Sequence, residues 1–200
     1  GIVLKANGYT ELKLLKDAEG DYIVNDDLSD TSKKRFAFWG GNIEESDIIR
    51  RIYNNQLDEL PAKIRAQVTT DEGNLYGDII KVLMTTKTGA EGIDLHNVRQ
   101  VHIIEPYWNP VRLKQVMGRA VRVNSHSKLP KNERLVEIFT YITSITETQK
   151  KADKIIQIDS LGKSSDEVLF DISQRKLAVM NTLMRLIKEA SIDCTLNAVE

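Results

Sequence analysis

The stretch that decides the fold reads Asn109-Pro110-Val111-Arg112-Leu113-Lys114-Gln115-Val116-Met117-Gly118-Arg119-Ala120-Val121-Arg122. As a helix, it would have an apolar stripe on one side and a basic face on the other. The apolar stripe consists of Leu113, Val116, Met117, Ala120 and Val121. The basic face consists of Arg112, Gln115, Arg119 and Arg122. Because the helix offers no acid to these arginines, they face something outside it, and planar guanidinium groups match phosphate oxygens.

The start of this helix is marked by its own sequence. Asn109 can cap the first turn, and Pro110 suits the first helical position because its missing N–H would have no partner there. Taken alone, such a helix is more typical of a solvated polar face than of a binding site. The segment before it shifts the balance toward binding.

Two apolar segments, 78–84 and 100–105, precede the helix and are typical of strands buried on both faces. The loop between them contains hydroxyls, Lys87, and the glycines Gly89 and Gly92, which would let the backbone approach a phosphate closely. Asp94 is a natural acceptor for ribose hydroxyls. By itself the loop is weak evidence, since a tight interstrand connection with an Asx turn has the same composition.

The remaining segments predict an α/β class with an open, mostly parallel sheet flanked by helices. A helix tail precedes Asn7-Gly8, a hairpin spans 9–24, and 26–34 is read as a surface loop before a buried strand at 35–39. Helices are expected after Asn42, Pro61, Thr146 and Ser164, and a strand at 135–142. We assign 1–145 to one lobe and 146–200 to a helical extension packed on it. Ligands of such sheets lie beyond the carboxyl ends of the strands.

Composition excludes several classes of protein. With 41% hydrophobic and 28% charged residues, the chain is typical of an ordinary globular protein. A net charge of −1 excludes a generally basic nucleic-acid coat, so any anion contact must be local. One local candidate is the block 111–134, where every charged residue except Glu133 is basic. The single cysteine, Cys194, excludes an intrachain disulfide and a cysteine zinc site.

No metal site is predicted, because His96, His102 and His126 are scattered and more typical of structural roles. No apolar run is long enough to span a membrane. The first residue is Gly, so we expect an excised fragment. An intracellular, reducing compartment fits this composition.

Loop and helix together resemble motifs V and VI of superfamily-two helicases, in the branch shared with Swi/Snf-type chromatin remodellers. The matching residues are Gly92-Ile93-Asp94-Leu95, Trp108-Asn109-Pro110, and the set Gln115, Arg119 and Arg122. DEAD-box RNA helicases fit less well, because they usually have His where Gln115 stands. The runs 125–130 and 191–194 are similar to helicase and nucleoside-triphosphatase proteins of poxvirus-like large DNA viruses, of the early transcription factor small subunit or transcription-termination type.

The resemblance implies the second RecA-like lobe of a two-lobe, ATP-dependent motor. Arg119 and Arg122 would act as arginine fingers on the γ-phosphate, and Gln115 would help to sense the nucleotide. Gly92 and Asp94 would line the nucleotide cleft. The nucleic-acid backbone would contact Gly40, Gly41, Asn42, Thr85, Thr86 and Lys87. ATP and Mg²⁺ would be held mainly by the N-terminal lobe.

The chain departs from a complete motor, because it has no Gly-x-x-x-x-Gly-Lys-Ser/Thr phosphate loop and no Asp-Glu-x-His-type motif. The first strand of the lobe is also expected to be truncated before Gly1. In the helix after Gly41, only Arg50 and Arg51 are near the position where DEAD-box enzymes place an RNA-contacting arginine, which leaves that contact in doubt. We therefore expect this chain alone to be inactive. Separately, we expect Trp108 to be a core or lobe-interface aromatic.

Two alternatives stay open. One is a non-hydrolysing transcription-factor docking module with helicase ancestry. The other is an α/β small-molecule enzyme, although the loops offer no catalytic acid–base pair or nucleophile. For the motor, the expected partners are the N-terminal RecA-like lobe, the backbone of DNA or RNA, and a second transcription-factor subunit or RNA polymerase, with no membrane. If viral, the protein would act in a cytoplasmic viral factory or in the virion.

Overall fold

A computed structural model describes residues 1–68, 72–86, 92–152 and 162–191, without the side chains of 150–152. The predictions for Lys87, Gly89, Cys194 and the helix after residue 152 lie outside these residues. The chain divides into two compact units. Unit 1 comprises Gly1–Arg99 and Gly118–Val136, and unit 2 comprises Gln100–Met117 and Glu137–Glu200. The predicted domain boundary near residue 145 stays a prediction.

The described part of unit 1 contains five strands in two sheets. They are β1 (Tyr9–Glu11), β2 (Leu14–Lys16), β3 (Tyr22–Val24), β4 (Lys34–Trp39) and β5 (Val82–Thr85). Three of them form a parallel sheet in the order β1-β4-β5, whereas β2 and β3 form an antiparallel hairpin. The prediction that 9–15 is a single strand of the hairpin was wrong, because its first part pairs with β4 and its second part with β3.

Three helices of unit 1 follow the sequence signals closely. They are α1 (Ile2–Ala6), α2 (Ile43–Tyr53) and α3 (Ala62–Gln67). Asn42 caps α2 as predicted, since its side chain accepts a hydrogen bond from the Glu44 N–H at 2.9 Å. The core of the unit consists of Leu12, Val24, Leu28, Ala37, Ile48, Ile49, Ile52, Leu60, Ile64, Ile79 and Ile80. The apolar face of α2 thus closes one side of the parallel sheet's core.

The strand predicted at 78–84 begins four residues later, at Val82. The buried side chain of Asn74 explains the delay, because its Oδ1 accepts hydrogen bonds from the N–H groups of Ile79 at 3.0 Å and Ile80 at 2.7 Å. An amide oxygen therefore takes the place of a neighbouring strand for these two buried residues. Both isoleucines still contribute to the core.

Arg35 is fully buried at the start of β4 and organises the loop before it. Its Nε donates to Asp26 Oδ2 at 2.7 Å, and its Nη2 donates to the carbonyls of Asp27 at 2.6 Å and Asp30 at 2.8 Å. The segment 26–34 was predicted to be a surface loop. Its exposed residues agree with that, but the loop also surrounds a guanidinium group and buries Leu28.

Unit 2 contains one parallel pair of strands, β6 (Gln100–Ile103) and β7 (Glu137–Thr140). Both strands were predicted from apolar residues, and both are present. However, β7 is exposed along its whole length, and Ile103 is the buried residue of β6. Within the described residues β6 therefore differs from the buried strand predicted at 100–105, whereas full burial was not predicted for the strand at 135–142. The α/β class with parallel sheets flanked by helices is nevertheless confirmed.

Three further helices are α4 (Pro110–Ala120), α5 (Glu147–Ala152) and α6 (Ser165–Glu189). Asn109 Oδ1 accepts a hydrogen bond from the Val111 N–H at 3.0 Å, which confirms the predicted start of α4. Ser164 and Glu167 form the capping box predicted for α6. Among the described helices, none combines the length and the apolarity needed to cross a membrane.

The apolar stripe of α6 is largely exposed in this structure, and Leu183 and Leu186 retain more than half of their accessible surface. Lys176 is a charged residue that interrupts the stripe. Its ammonium group lies 4.0 Å from the centre of the Trp108 ring. Trp108 was expected to be a core or lobe-interface aromatic. A core position is wrong, since the residue is 44% exposed.

Candidate functional site

Asp94, Arg119 and Arg122 come together on the surface of unit 1. Arg122 Nη1 contacts Asp94 Oδ1 directly, and Arg119 Nη1 lies 3.7 Å from the same oxygen. The exposed fraction of the side chain is 29% for Arg119, 44% for Arg122 and 48% for Asp94. Neither contact has hydrogen-bond geometry, since Asp94 Oδ1 has no hydrogen-bond partner within the described residues. Among the residues that the structure describes, one carboxylate thus serves two guanidinium groups, and these three side chains together have a net positive charge.

Asp94 is positioned through its backbone by Asn54, which follows α2 and is 1% exposed. Asn54 Nδ2 donates to the Asp94 carbonyl at 2.8 Å, and Asn54 Oδ1 accepts from the His96 N–H at 2.9 Å. The side-chain amide therefore bridges two backbone groups of the segment 94–96. Burial lowers the pKa of His96, and the positive charge of the nearby Lys128 lowers it further. The charged form of this imidazole is therefore disfavoured.

Arg122 is not on the helix, contrary to the prediction. Helix α4 ends at Ala120, and Arg122 lies in the turn that follows. Val121, predicted to belong to the apolar stripe, is 55% exposed. Ser125 provides the anchor instead, because its Oγ donates to the Arg122 carbonyl at 2.8 Å and its N–H donates to the same oxygen at 3.1 Å.

The other two predicted nucleotide contacts are less constrained. Gly92 has a φ of 87°, which L side chains rarely adopt, and open space where a Cβ would be. Gln115 lies exposed on α4 in unit 2, and its role stays a prediction. Arg112, from the predicted basic face, lies with its guanidinium carbon 5.2 Å from the centre of the Tyr107 ring.

Four of the predicted nucleic-acid contacts, Gly40, Gly41, Thr85 and Thr86, follow neighbouring strands at one edge of the parallel sheet. Trp39 at the end of β4 is in register with Thr85 at the end of β5, so the following residues leave the sheet side by side. A Cβ built on Gly40 would lie 3.8 Å from Thr86 Oγ1. Both Gly40 and Gly41 have positive φ values, 140° and 97°. The arrangement presents hydroxyls and a close-approach backbone at the carboxyl edge, where α/β sheets bind ligands.

Other cations that could have bound phosphate have partners within the chain. Arg50 and Arg51 share Asp47 at 2.6 Å and 2.7 Å, and Arg51 Nη1 also lies 3.7 Å from Glu59, so these two arginines face two carboxylates. Arg134, at the end of the predicted basic block, donates to the carbonyls of Leu129 at 2.8 Å and Ser127 at 2.9 Å. The block 111–134 is therefore partly structural, although Lys114, Lys128 and Lys131 are exposed.

An acidic cluster on the hairpin already contains a cation from the chain itself. Asp17, Glu19 and Asp21 have carboxylate oxygens within reach of one another. Lys63 Nζ lies 2.7 Å from Asp17 and 3.0 Å from Asp21, and it also contacts Glu19. The hydrogen bonds that the Lys63 ammonium group donates to these carboxylates raise its pKa. The cluster fastens the hairpin to α3.

Three residues of the site were missed by sequence reasoning: Asn54, Ser125 and His126. Asn54 could have been identified as a helix-ending residue, but its contacts are about 40 positions along the chain. Ser125 and His126 were noted only as part of a similar run and as a structural histidine. Their buried positions, 4% and 8% exposed, become visible only in the folded chain.

Comparisons with known proteins show which family the chain is similar to. The model of the helicase conserved C-terminal domain family matches residues 49–124. A termination factor NPH-I homolog of African swine fever virus is 31% identical over 97% of this chain and 28% of its own length. The homolog of another isolate is 35% identical over 82% of this chain and 21% of its length. Nucleoside triphosphatase I of Melanoplus sanguinipes entomopoxvirus is 33% identical over 57% of this chain and 16% of its length. The chain thus spans well under a third of each relative's length.

Proposed function

The chain belongs to the helicase conserved C-terminal domain family, and from this membership we propose that it is the second motor lobe of an ATP-dependent helicase or translocase. In this proposal ATP is bound by a preceding phosphate-loop lobe, and Arg119 and Arg122 contact its γ-phosphate. The relative named as a termination factor favours a role in viral transcription. The proposal further places the protein in a viral factory or the virion, beside an RNA polymerase or a second transcription-factor subunit.

The observation that supports this most strongly is the shared carboxylate. If each guanidinium group had a buried carboxylate of its own, its charge would be neutralised and would not be available to a ligand. Here Arg119 and Arg122 share Asp94, and all three side chains are accessible. An exposed ion pair contributes only about 0–1 kcal/mol, so a triphosphate with several negative oxygens would compete successfully for the guanidinium groups.

The donor set fits a nucleotide better than a metal ion. The cluster has two cations and one carboxylate, and that carboxylate already faces both arginines. Mg²⁺ prefers several oxygen ligands, so we assign it to the preceding lobe. When ATP is bound, Asp94 Oδ2 would be available to ribose hydroxyls, while Arg119 and Arg122 would stabilise the charge that develops on the transferred phosphoryl group.

The edge formed by Gly40, Gly41, Thr85 and Thr86 would contact the sugar–phosphate backbone. Hydroxyls and backbone N–H groups bind phosphate without reading bases; the Gly40 N–H already donates to Ser46 Oγ at 3.2 Å, so it would have to exchange that partner for phosphate. Asn42 would contribute through its backbone, because its side chain is engaged in capping α2. Such contacts suit a motor that moves along any sequence, and they are compatible with DNA or RNA.

The test is the Arg122→Ala variant of the longer, two-lobe protein. We expect the ATP turnover number to fall by about 10³–10⁵-fold, as for other arginine fingers, while the affinity for ATP changes little. A matched control is Arg185→Ala, since Arg185 is an exposed arginine that pairs with Glu189 at 3.6 Å on α6.

Two outcomes would count against the proposal. Equal loss of binding and turnover would argue that Arg122 only binds nucleotide. Unchanged turnover, together with DNA binding that ignores ATP, would favour the alternative of a non-hydrolysing transcription-factor docking module. We also expect this chain alone to hydrolyse no ATP, because its sequence contains no phosphate loop.

A further inference from the structure

We propose that Ser125 and His126 are positioning residues for Arg122, an inference that rests on the proposed finger role of that arginine. Nothing in the helix fixes Arg122, since α4 ends two residues earlier, at Ala120. The backbone of Arg122 therefore depends on the turn that follows. The side chains of Ser125 and His126 are the buried polar groups of that turn, at 4% and 8% exposure.

The hydroxyl of Ser125 lies between the finger residue and the imidazole. Its Oγ is 2.8 Å from the Arg122 carbonyl and 2.7 Å from His126 Nδ1. The single hydroxyl proton can be donated to either atom, and the Arg122 carbonyl also accepts from the Ser125 N–H at 3.1 Å. A neutral imidazole that donates from Nε2 has no proton on Nδ1, so only one of the two Oγ contacts is a hydrogen bond at a time, while the Ser125 N–H bonds to the Arg122 carbonyl in both arrangements.

The other ring nitrogen connects this turn to the segment that contains Asp94. His126 Nε2 lies 2.7 Å from the Val98 carbonyl, to which it can only donate. Beside it, the Asn97 N–H donates to the Ser125 carbonyl at 3.0 Å. Two hydrogen bonds thus fasten the turn 122–126 to the segment 94–98.

These contacts determine the position of the Arg122 backbone, from which the side chain with its guanidinium group extends. One end of the connection is the carbonyl of Arg122 itself, and the other lies four residues after Asp94, whose own backbone is held by Asn54. A residue with only a packing role would stabilise the unit without controlling the distance between the turn 122–126 and the segment 94–98. Because a misplacement of about 1 Å can reduce a catalytic rate on the order of 10²-fold, loss of the connection should affect turnover more than nucleotide affinity.

The test uses His126→Ala, His126→Gln and Ser125→Ala in the longer protein. We expect His126→Ala and Ser125→Ala to lower the turnover number by roughly 10-fold to 100-fold while KM for ATP stays within about twofold. His126→Gln keeps a donor that can contact Val98, and it should recover part of the loss. Ser125→Ala changes little volume, so it reports on positioning even if His126→Ala folds poorly.

The matched control is Gln67→Ala, which removes two side-chain hydrogen bonds to Val24, at 2.9 Å and 3.3 Å, in the same unit. It should lower the melting temperature while turnover measured below that temperature is unchanged. Equal loss of turnover in Gln67→Ala would show that the effect is general destabilisation and would overturn the inference.

A double-mutant cycle separates this inference from the proposed function. If His126 acts through Arg122, then His126→Ala should have no further effect on turnover in an Arg122→Ala background. Additive losses would overturn the positioning role while leaving the finger role intact. If Arg122→Ala alone leaves turnover unchanged, the proposed function fails, whatever the His126 variants do.

Discussion

Replacing Asp26 by Asn tests whether the buried Arg35 organises the first half of unit 1. Asp26 Oδ2 accepts from Arg35 Nε at 2.7 Å, and Asp26 Oδ1 accepts from Lys33 Nζ at 2.8 Å. Burial alone would raise the pKa of Asp26, but the hydrogen bonds from Lys33 and Arg35 outweigh it and lower the pKa to about 2. Asn keeps the shape of the side chain and removes the charge.

The size and the sign of the effect follow from this pKa. A shift from 3.8 to about 2 corresponds to about 2 kcal/mol, or about 1–2 kcal/mol after allowance for solvent screening. Because the folded pKa lies below the unfolded value, this contribution is fully present above pH 4. It is lost as the pH falls toward 2. The wild-type protein should therefore lose this stability on acidification, and the Asp26→Asn variant should not.

The assay is urea unfolding of this chain at several pH values, monitored by circular dichroism. At pH 7 the Asp26→Asn variant should be less stable by at least about 1–2 kcal/mol, and by more if Arg35 is left without a counter-charge in its buried position. The difference should shrink as the pH approaches 2. Asp27→Asn is the matched control in the same loop, because the amide can still accept the hydrogen bonds from Ser29. A stability difference that does not depend on pH would refute the reasoning.

Two further predictions concern the site. Asn54→Ala leaves the Asp94 carbonyl and the His96 N–H without their buried partner, so we expect a loss of about 2–5 kcal/mol in unfolding free energy; a loss below 1 kcal/mol in urea titrations would contradict the bridging role. In the longer protein, Thr85→Val with Thr86→Val should weaken the stimulation of ATP turnover by nucleic acid several-fold and leave unstimulated turnover unchanged. A steady-state ATPase assay with and without single-stranded DNA or RNA would measure both quantities. An equal loss in both conditions would place these hydroxyls in the nucleotide site instead.

Sequence reasoning was most reliable where the determining contact is local. The starts of α2, α4 and α6 were each identified from a capping residue, because a cap bonds to a backbone group only two or three positions away. The Thr146–Gln149 pair before α5 also forms the reciprocal contacts expected from its spacing, at 3.0 Å and 3.3 Å. These decisions need no knowledge of the rest of the fold.

Strand boundaries were less reliable, because a strand is defined by its neighbour. Apolar character alone extended β5 back to residue 78, but the N–H groups of Ile79 and Ile80 bond to Asn74 instead of a strand. The same limitation merged β1 and β2 into one strand, although their partners are β4 and β3. Both errors arise because the identity of a hydrogen-bonding partner is not encoded in the periodicity of one segment.

By itself the sequence determined the class of the fold, the family motifs and the residue types that the proposed ATP site requires. Only the folded chain decided that Arg119 and Arg122 share one carboxylate, and that Arg122 lies beyond the end of its helix. The reason is distance along the chain. Asp94 and Arg122 are 28 positions apart, as are Val98 and His126, so their separation in space is set by the loops and strands between them. No local pattern contains that information.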